Sequence, residues 1–240
     1  MEQKKITRHN TLYSILYYLT LKNDLKALAL RSFFFTTLTI SLKEMHHKII
    51  NLFDQYGERK YLVAEERNRF IAQVEQAECE TRIFCLLLHY TGIRISEGIN
   101  LLISQIDYEN KVVIIESLKK SKRGVYRTIP LPSTFLDELN LMYDIKKRQR
   151  IKGEQKKRVW KWTRNTAYLK VKKVMKEANI FGTKATPKGL RHGFAIHCLE
   201  KKIPLNMISK WMGHSSIEVT AIYQNALGEE ERRIASRLWK

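Results

Sequence analysis

Six side chains of this 240-residue chain have the chemistry needed to break and rejoin a phosphodiester bond. Arginine and lysine neutralise a phosphate, an imidazole orients a phosphate oxygen or moves a proton, and a phenol can attack phosphorus. The six candidates are Arg94, Lys122, Lys188, Arg191, His214 and Tyr223. The sequence carries no H-E-x-x-H motif and no Walker-type Gly-rich lysine loop. We therefore expect a catalytic centre that uses no cofactor, neither a metal ion nor ATP.

The residues around Lys188 and Arg191 predict a helix start that would present both cations to an anion. Thr186 is a typical N-cap residue, and Pro187 suits the first helical position. With their i, i+3 spacing, Lys188 and Arg191 would share one face near the helix N-terminus, where anions are stabilised. Taken alone, this spacing is more often that of two solvated side chains.

Two further elements are expected to bring His214 and Tyr223 to one pocket. Pro204–Met212 has the pattern of a short helix that ends at Gly213, which would place His214 just past the helix end. Ser215 and Glu218 have the spacing of a capping box for a new helix. Tyr223 would then lie about two turns into that helix, where it can face the same pocket as the loop histidine.

The apolar pattern predicts a mainly α protein with a small antiparallel β-sheet, an α+β fold. Ile83–Leu88 is almost entirely apolar and is predicted to be core. Apolar residues also recur at helical spacing in the first 56 residues, and in a later helix with Phe135, Leu136, Leu139, Met142 and Tyr143 on one face. The apolar rhythm breaks at Tyr56–Lys60. We therefore predict a short helical N-terminal segment over residues 1–56 and a catalytic domain over residues 57–240.

The β-sheet is predicted from two runs rich in β-branched residues. Lys111–Ile115 and Val125–Leu131 are separated by the polar, glycine-containing stretch Glu116–Gly124, which is the pattern of a hairpin. Pro130 cannot donate a ladder hydrogen bond, so it limits the second strand to a sheet edge or a strand end.

The charge of the chain, +20, predicts a polyanionic partner, and nucleic acid is the leading candidate. Residues 146–176 carry fourteen lysines and arginines against one acid, Glu154. Trp160, Trp162 and Tyr168 lie among these charges and are expected either to pack against sugars and bases or to be core aromatics beneath a solvated basic face. The predicted DNA-binding residues are Lys120, Lys156, Lys157, Arg158, Lys161, Arg164, Lys172 and Lys173.

The cysteines and the longest uncharged stretches favour a protein of the cytoplasm. Cys79, Cys85 and Cys198 form no C-x-x-C pair, so neither a disulfide framework nor a structural zinc site is indicated. The stretches Asn10–Leu21 and Ser32–Leu42 are too short for a membrane span, which needs about 20 residues.

Three sequence boxes, taken in order and with their spacing, resemble the signature of the tyrosine recombinase (phage integrase) family. They are Thr91-Gly-Ile-Arg94-Ile-Ser-Glu97, Lys188-Gly-Leu-Arg191-His192, and Met212-Gly-His214-Ser-Ser-Ile-Glu-Val-Thr-Ala-Ile-Tyr223. The resemblance covers roughly Tyr61 to the C-terminus. Each box alone is moderately specific, and the three together are a strong signal.

The resemblance implies a role for each matched residue. Arg94 and Arg191 would clamp the scissile phosphate and stabilise the charge of its five-coordinate transition state. Glu97 would orient Arg94, and His214 would donate to a phosphate oxygen or assist proton transfer. Tyr223 would attack phosphorus to give a 3′-phosphotyrosyl intermediate and a free 5′-hydroxyl. The bond energy would be kept in that intermediate, so resealing would need no ATP.

The family's hairpin lysine, which protonates the leaving 5′-oxygen, has three candidates in this chain. We choose Lys122, eight residues before Pro130, with Lys120 second and Lys119 as the third possibility. Lysine suits this task when neighbouring cations lower its pKa toward neutrality.

Two features depart from the usual family pattern. Lys188 stands where most relatives have histidine, so altered acid–base help is expected; His192 matches the family and is expected to be structural. The first 56 residues are shorter than the usual DNA-clamping domain and would form either a reduced clamp or a remnant.

The tail from Asn225 to Lys240 either caps its own domain or docks on a neighbouring protomer, and docking is favoured.

The sequence therefore predicts a site-specific DNA recombinase that acts as a homotetramer on double-stranded DNA. Its tails would be exchanged between protomers, and it would have no membrane association. Two other interpretations stay open. One is a catalytically silent DNA-binding protein, and the other is a type IB-like topoisomerase, which would share the same chemistry.

Overall fold

The computed structural model describes residues 52–117, 124–214 and 216–226, together with residues 236 and 239. The predicted N-terminal helices and nearly all of the C-terminal tail lie outside these residues. So do Lys119, Lys120, Lys122 and Ser215. The domain boundary after residue 56 stays a prediction.

Helices dominate the part of the chain that the structure describes. The described residues contain nine α-helices: α1 Ala64–Val74, α2 Cys79–Thr91, α3 Ile95–Ile99, α4 Ser133–Tyr143, α5 Ile145–Arg150, α6 Arg164–Glu177, α7 Pro187–Glu200, α8 Leu205–Met212 and α9 Glu218–Ala221. Short 3₁₀ segments occur at Ile103–Gln105, Glu154–Lys156 and Ile222–Ala226.

A small antiparallel sheet completes the predicted fold class. Its strands are β1 Ile106–Asp107, β2 Val112–Glu116 and β3 Tyr126–Pro130, in the order β1-β2-β3. The register pairs Val112 with Pro130 and Glu116 with Tyr126, so β2 and β3 form the expected hairpin. Pro130 ends an edge strand, as predicted, because it has no N–H to donate. The mainly α fold with a small antiparallel sheet is confirmed.

The larger hydrophobic core forms around α2. This helix packs against α1, α4 and α7, and Ile83 to Leu88 are all buried, as predicted. The α4 face is mostly confirmed, because Phe135, Leu136 and Leu139 are buried. Met142 was wrongly predicted: it is 40% exposed. It lies in the last turn of α4, at the edge of the core, where Tyr143 packs against the core instead.

Trp160 belongs to the core, so of the two interpretations of this ring the core aromatic is confirmed and packing against DNA is wrong. It is 1% exposed, and its ring meets the edge of Phe84 at a centroid distance of 5.1 Å. Trp162 also packs on Phe84, and Lys170 Nζ lies 4.9 Å from the centroid of the Trp162 ring. Tyr168 packs against the same core. These rings are held in place by apolar packing. A ring could contact nucleic acid only by leaving the core, which would cost the free energy of its burial.

A second, smaller cluster holds the segment that carries Tyr223. Its buried members are Leu52, Tyr61, Phe194, Ala195, Ile196, Cys198, Ile208, Met212 and Tyr223. Phe194 also meets the end of α2: Gly92 adopts φ 59°, and a Cβ there would lie 2.3 Å from Phe194 Cδ1. Only glycine fits this left-handed, crowded position. This contact packs the C-terminal end of α2, which is followed by Arg94, against α7, which carries Arg191.

None of the helices in the described ranges combines the length and apolar character needed to cross a membrane. All three cysteines are free thiols; Cys79 is exposed, whereas Cys85 and Cys198 are buried.

Candidate active site

The first arginine of the site is held by a carboxylate one helical turn away. Arg94 is the N-cap residue of α3, and Glu97 lies in the first turn of that helix. The Glu97 carboxylate accepts hydrogen bonds from the Arg94 backbone N–H and from its Nη1, both at 2.9 Å. Burial alone would raise the pKa of Glu97, but the bonds and charges of Arg127 and Arg94 outweigh it and hold that pKa below its usual value.

Arg127 is a buried member of the site that the sequence interpretation missed. Its Nη2 donates to Glu97 Oε2 at 2.7 Å, its Nη1 to Ser117 Oγ at 3.0 Å, and its Nε to the Trp211 carbonyl at 2.7 Å. One signal in the sequence could have revealed it. Alternation along β3 puts Arg127 on the same inward face as Ile129, and a charged side chain there requires buried partners.

The second predicted arginine is also buried and is held by two helix ends. Arg191 Nη1 donates to the Gly92 carbonyl and Nη2 to the Met212 carbonyl, both at 2.6 Å. Gly92 caps α2 and Met212 is the last residue of α8, so the guanidinium satisfies carbonyls that the helices leave without a partner. Burial lowers the pKa of Arg191 to about 10, with Arg94 adding to the effect. The group stays charged at neutral pH.

The helix start that positions Arg191 is confirmed. Thr186 is the N-cap of α7, its Oγ1 accepts from Gly189 N–H at 3.0 Å, and Pro187 takes the first helical position. Lys188 is exposed on the first turn of α7. Its charge, after burial, helps to lower the pKa of His192, so the two side chains lie within electrostatic range.

Tyr223 is buried and hydrogen-bonded to His192. The Tyr223 hydroxyl lies 2.7 Å from His192 Nδ1, and the residue is 2% exposed. Burial raises the pKa of Tyr223 to about 12, against the opposing charges of Arg191 and Arg94. Burial, followed by the charges of Lys188 and Arg191, lowers the pKa of His192 to about 3. At neutral pH a protonated phenol therefore faces an uncharged imidazole.

The local structure around Tyr223 differs from the prediction. The helix α9 begins at Glu218 with Ile217 as its N-cap, later in the chain than predicted, and the predicted capping box involves Ser215, which lies outside the described residues. It spans only four residues, and Tyr223 lies in the following 3₁₀ segment Ile222–Ala226. Tighter 3₁₀ turns often follow the end of a short α-helix. Burial of the Tyr223 ring in the smaller cluster decides its position here, and helical periodicity does not.

His214 lies beside the tyrosine, as predicted. The helix α8 ends at Gly213 with φ 63°, which confirms the expected glycine stop. The His214 ring stacks on the Tyr223 ring at a centroid distance of 6.3 Å and an interplanar angle of 13°. Its Nδ1 lies 2.7 Å from the hydroxyl oxygen of Thr220, which is completely buried. Thr220 thus fixes the orientation of the imidazole.

Replacing Thr220 by valine is expected to loosen the His214 ring without unfolding the protein. Valine keeps the shape of threonine but removes the hydroxyl that bonds to His214 Nδ1, so one contact that orients the imidazole is lost. The expected cost is about 1 kcal/mol, the value of one hydrogen bond. Nuclear magnetic resonance of the His214 ring measures the change, with Thr81→Val, at a buried threonine of α2, as the matched control. An unchanged His214 signal in Thr220→Val would contradict this role for Thr220.

The basic side chains predicted to bind DNA are mostly on the surface. Arg158 lies close to the site: its Nη1 donates to Asn100 Oδ1 at 3.5 Å, and its backbone pairs with Leu102, just after α3. Lys157 forms an ion pair with Glu154. Lys172 is half-buried, and Lys120 lies outside the described residues. The exposed members are Lys156, Lys157, Arg158, Lys161, Arg164 and Lys173.

The fold brings together candidate phosphate-binding side chains from distant parts of the chain. Arg94 and Arg191 supply two guanidinium groups, His214 an imidazole and Tyr223 a phenol, and the charges of both arginines act on the phenol. This set can bind a phosphodiester and present an oxygen nucleophile to it. Within the described residues, no three His, Cys, Asp or Glu side chains are grouped so that they could hold a metal ion.

Comparison with known proteins points to one family. Residues 60–230 match the profile of the Phage integrase family. The chain is 31% identical to tyrosine recombinase XerA of Pyrococcus furiosus over 182 residues, covering 74% of this chain and 61% of that protein. It is 29% identical to XerA of Thermococcus onnurineus, covering 72% of this chain and 61% of that protein. The chain thus spans about three fifths of the length of these relatives.

Solved structures share the fold. The XerH site-specific recombinase bound to palindromic difH substrate, in a post-cleavage complex, superposes with a TM-score of 0.63 at 21% identity, covering 75% of this chain and 54% of that chain. The crystal structure of XerA recombinase gives a TM-score of 0.60 at 23% identity, covering 74% of this chain and 64% of that chain.

Proposed function

This chain belongs to the phage integrase family, and from that premise we propose that it is a site-specific DNA recombinase. It cuts and rejoins DNA strands through a covalent bond between Tyr223 and the DNA. The observation that carries the proposal is the convergence on one phenol of side chains that are far apart in sequence. The Tyr223 hydroxyl is hydrogen-bonded to His192, and its ring stacks on that of His214. The positive charges of Arg94 and Arg191 act to lower the pKa of the phenol.

In the proposed reaction the phenol replaces the 5′-oxygen on phosphorus. Tyr223 Oη forms a bond to phosphorus, the bond from phosphorus to the 5′-oxygen breaks, and a 3′-phosphotyrosine results. Arg94 and Arg191 stabilise the extra negative charge of the five-coordinate transition state. The phenol must lose its proton, and the leaving 5′-oxygen must gain one. No ATP is required, because the new ester keeps the energy of the broken one, and the two guanidinium groups supply the positive charge that a metal ion could otherwise supply.

The remaining catalytic groups are assigned on the family pattern. His214 donates to a phosphate oxygen, Lys122 protonates the 5′-oxygen, and Lys188 supplies a further cation beside the phosphate. Lys119 and Lys120 remain the other candidates for the general acid. A 5′-hydroxyl of the partner duplex then attacks the phosphotyrosine, which joins the strands and frees Tyr223.

The proposed assembly is a homotetramer on two double-stranded DNA sites. Each protomer contributes one phenol, and the C-terminal tail docks on a neighbouring protomer. The DNA-binding part of this proposal is supported by the two XerH structures, which are a pre-cleavage and a post-cleavage complex of that recombinase bound to difH substrate. Cross-linking on DNA followed by mass determination tests the number of subunits.

Capture of a covalent complex tests the function directly. The protein is incubated in EDTA with a pool of nicked duplexes made from the DNA on either side of its own coding sequence, then washed in denaturant. Fragments that remain attached through a 3′ end support the proposal and reveal the site. DNA binding without any adduct would favour a catalytically silent binding protein. Relaxation of supercoiled plasmid without a specific site would favour a topoisomerase.

The basic segment is expected to account for part of the salt dependence of DNA binding. Removing one cation that neutralises a phosphate should reduce the slope of log affinity against log salt by about 0.9. The double variant Lys156→Ala/Arg158→Ala is therefore expected to bind DNA more weakly and with a shallower slope, measured by fluorescence anisotropy from low to high salt. The control, Arg69→Ala/Lys201→Ala, removes the same charge from α1 and from the C-terminal end of α7. Identical slopes for the two double variants would show that Lys156 and Arg158 do not contact the DNA.

A further inference from the structure

We propose that Arg127 is a positioning residue that sets the geometry of the strand-cleaving centre. It joins three segments, each of which carries or leads to a catalytic group. This inference rests on the proposed recombinase function for its kinetic consequences, but its structural consequence can be measured independently.

The guanidinium of Arg127 bonds to each of the three segments. Its Nη2 and Nη1 reach the two carboxylate oxygens of Glu97, at 2.7 and 3.3 Å, and Glu97 in turn holds Arg94. Its Nη1 also donates to Ser117 Oγ at 3.0 Å, at the end of β2 where the hairpin with the candidate lysines begins. Its Nε donates to the Trp211 carbonyl at 2.7 Å, in the last turn of α8.

Arg127 is placed to act on the protein rather than on DNA. Its side chain is 5% exposed, and that of Glu97 is fully buried. A bidentate arginine–carboxylate pair has a fixed planar geometry, and buried charges are weakly screened by water. The Glu97 carboxylate therefore holds Arg94 from one side and Arg127 from the other. Any displacement of Arg127 would be transmitted to Arg94.

The backbone of Gly213, the residue before His214, packs closely against the Arg127 guanidinium. A Cβ at Gly213 would lie 2.9 Å from Arg127 Cζ and Nη1. Glycine at this position therefore serves two needs: it adopts φ 63° without strain, and it lets the chain approach the arginine. Trp211, which accepts from Arg127, and Met212, which accepts from Arg191, are consecutive residues. The two buried arginines thus fix the end of α8 from which His214 follows.

The test compares Arg127→Lys with the wild type on two DNA substrates. Lysine keeps the charge but cannot bridge three segments with one ammonium group. A misplacement of about 1 Å can cost about 100-fold in rate, so a loss of about that size is expected in single-turnover cleavage of an ordinary phosphodiester. On a methylphosphonate at the scissile position, which lacks the negative charge that Arg94 clamps, the loss should shrink to about tenfold or less. DNA affinity should not change.

A double variant and an exchange measurement complete the test. Arg127→Lys/Arg94→Ala should cleave no more slowly than Arg94→Ala alone, because the two side chains act through one contact. Hydrogen exchange should speed up at residues 94–99 and 211–217 of Arg127→Lys, while α6 stays protected. The proposal would be overturned if Arg127→Lys lost the same factor in rate on both substrates and if the losses of the two single variants multiplied in the double variant. Arg127 would then be a general stabiliser.

Failure of the two proposals can be told apart. If the wild type forms no adduct, the recombinase function fails, while the exchange measurement still decides whether Arg127 holds the two segments. Unchanged exchange in both segments of the Arg127→Lys protein would overturn the positioning role even if cleavage is slowed. Thermal unfolding of the Arg127→Lys protein, followed by circular dichroism, verifies that it is folded at the assay temperature.

Discussion

Replacing Tyr223 by phenylalanine is expected to abolish the covalent protein–DNA complex while leaving DNA binding intact. The change removes only the hydroxyl, which is the proposed nucleophile, and the phenyl ring can still pack in the smaller cluster with Phe194 and Met212. Phenylalanine offers no oxygen nucleophile at this point, so adduct should be undetectable rather than reduced. A labelled nicked duplex on a denaturing gel measures the adduct, and a native gel measures binding.

Tyr61→Phe is the matched control for this experiment. Tyr61 is a buried tyrosine of the same cluster, so its replacement removes a hydroxyl from similar surroundings without touching the proposed nucleophile. Loss of the bond to His192 should cost Tyr223→Phe about 1–3 kcal/mol of stability, because it leaves a buried imidazole nitrogen without that partner. Adduct formation by a folded Tyr223→Phe protein would refute the assignment of the nucleophile.

Arg191→Ala is expected to lower both cleavage and stability, because Arg191 has a structural role besides its proposed catalytic one. In the proposed reaction it stabilises the transition-state charge, and loss of one such donor costs about 100- to 1,000-fold in rate. In the fold it satisfies the buried Gly92 and Met212 carbonyls. Each carbonyl left unsatisfied costs about 1–3 kcal/mol. Single-turnover cleavage and thermal unfolding measure the two losses separately.

Arg191→Lys separates the catalytic role from the structural one. The ammonium keeps a positive charge in the site, but it lacks the fork that spans two helix ends and a phosphate. We expect a smaller loss of stability than for alanine and still at least a tenfold loss of cleavage, the equivalent of about 1.4 kcal/mol. Arg69→Ala, on α1, controls for the loss of one arginine charge. Cleavage by Arg191→Lys at the wild-type rate would show that a point charge suffices there.

Several elements of this protein were predictable because their signals are local. Thr186 and Pro187 start α7, and Gly213 ends α8, since capping and left-handed backbone depend on the residues at the helix ends. The hairpin of β2 and β3 and the burial of Ile83–Leu88 follow from the periodicity of the apolar residues. The three boxes identified Arg94, Arg191, His214 and Tyr223 as a set without showing how they meet.

Packing between distant residues decided the remaining features. Trp160 is core because Phe84 lies against it, and Arg127 meets Glu97 and Trp211, which are 30 and 84 positions away in the chain. Sequence periodicity carries no information about such partners. Tyr223 was expected in an α-helix, yet its burial against α7 and α8 places it in a 3₁₀ segment with its hydroxyl on His192. The sequence alone thus determined which groups can act on a phosphate. Only the tertiary structure decided how they are held, because buried charges and hydroxyls take their positions from whichever partner satisfies them.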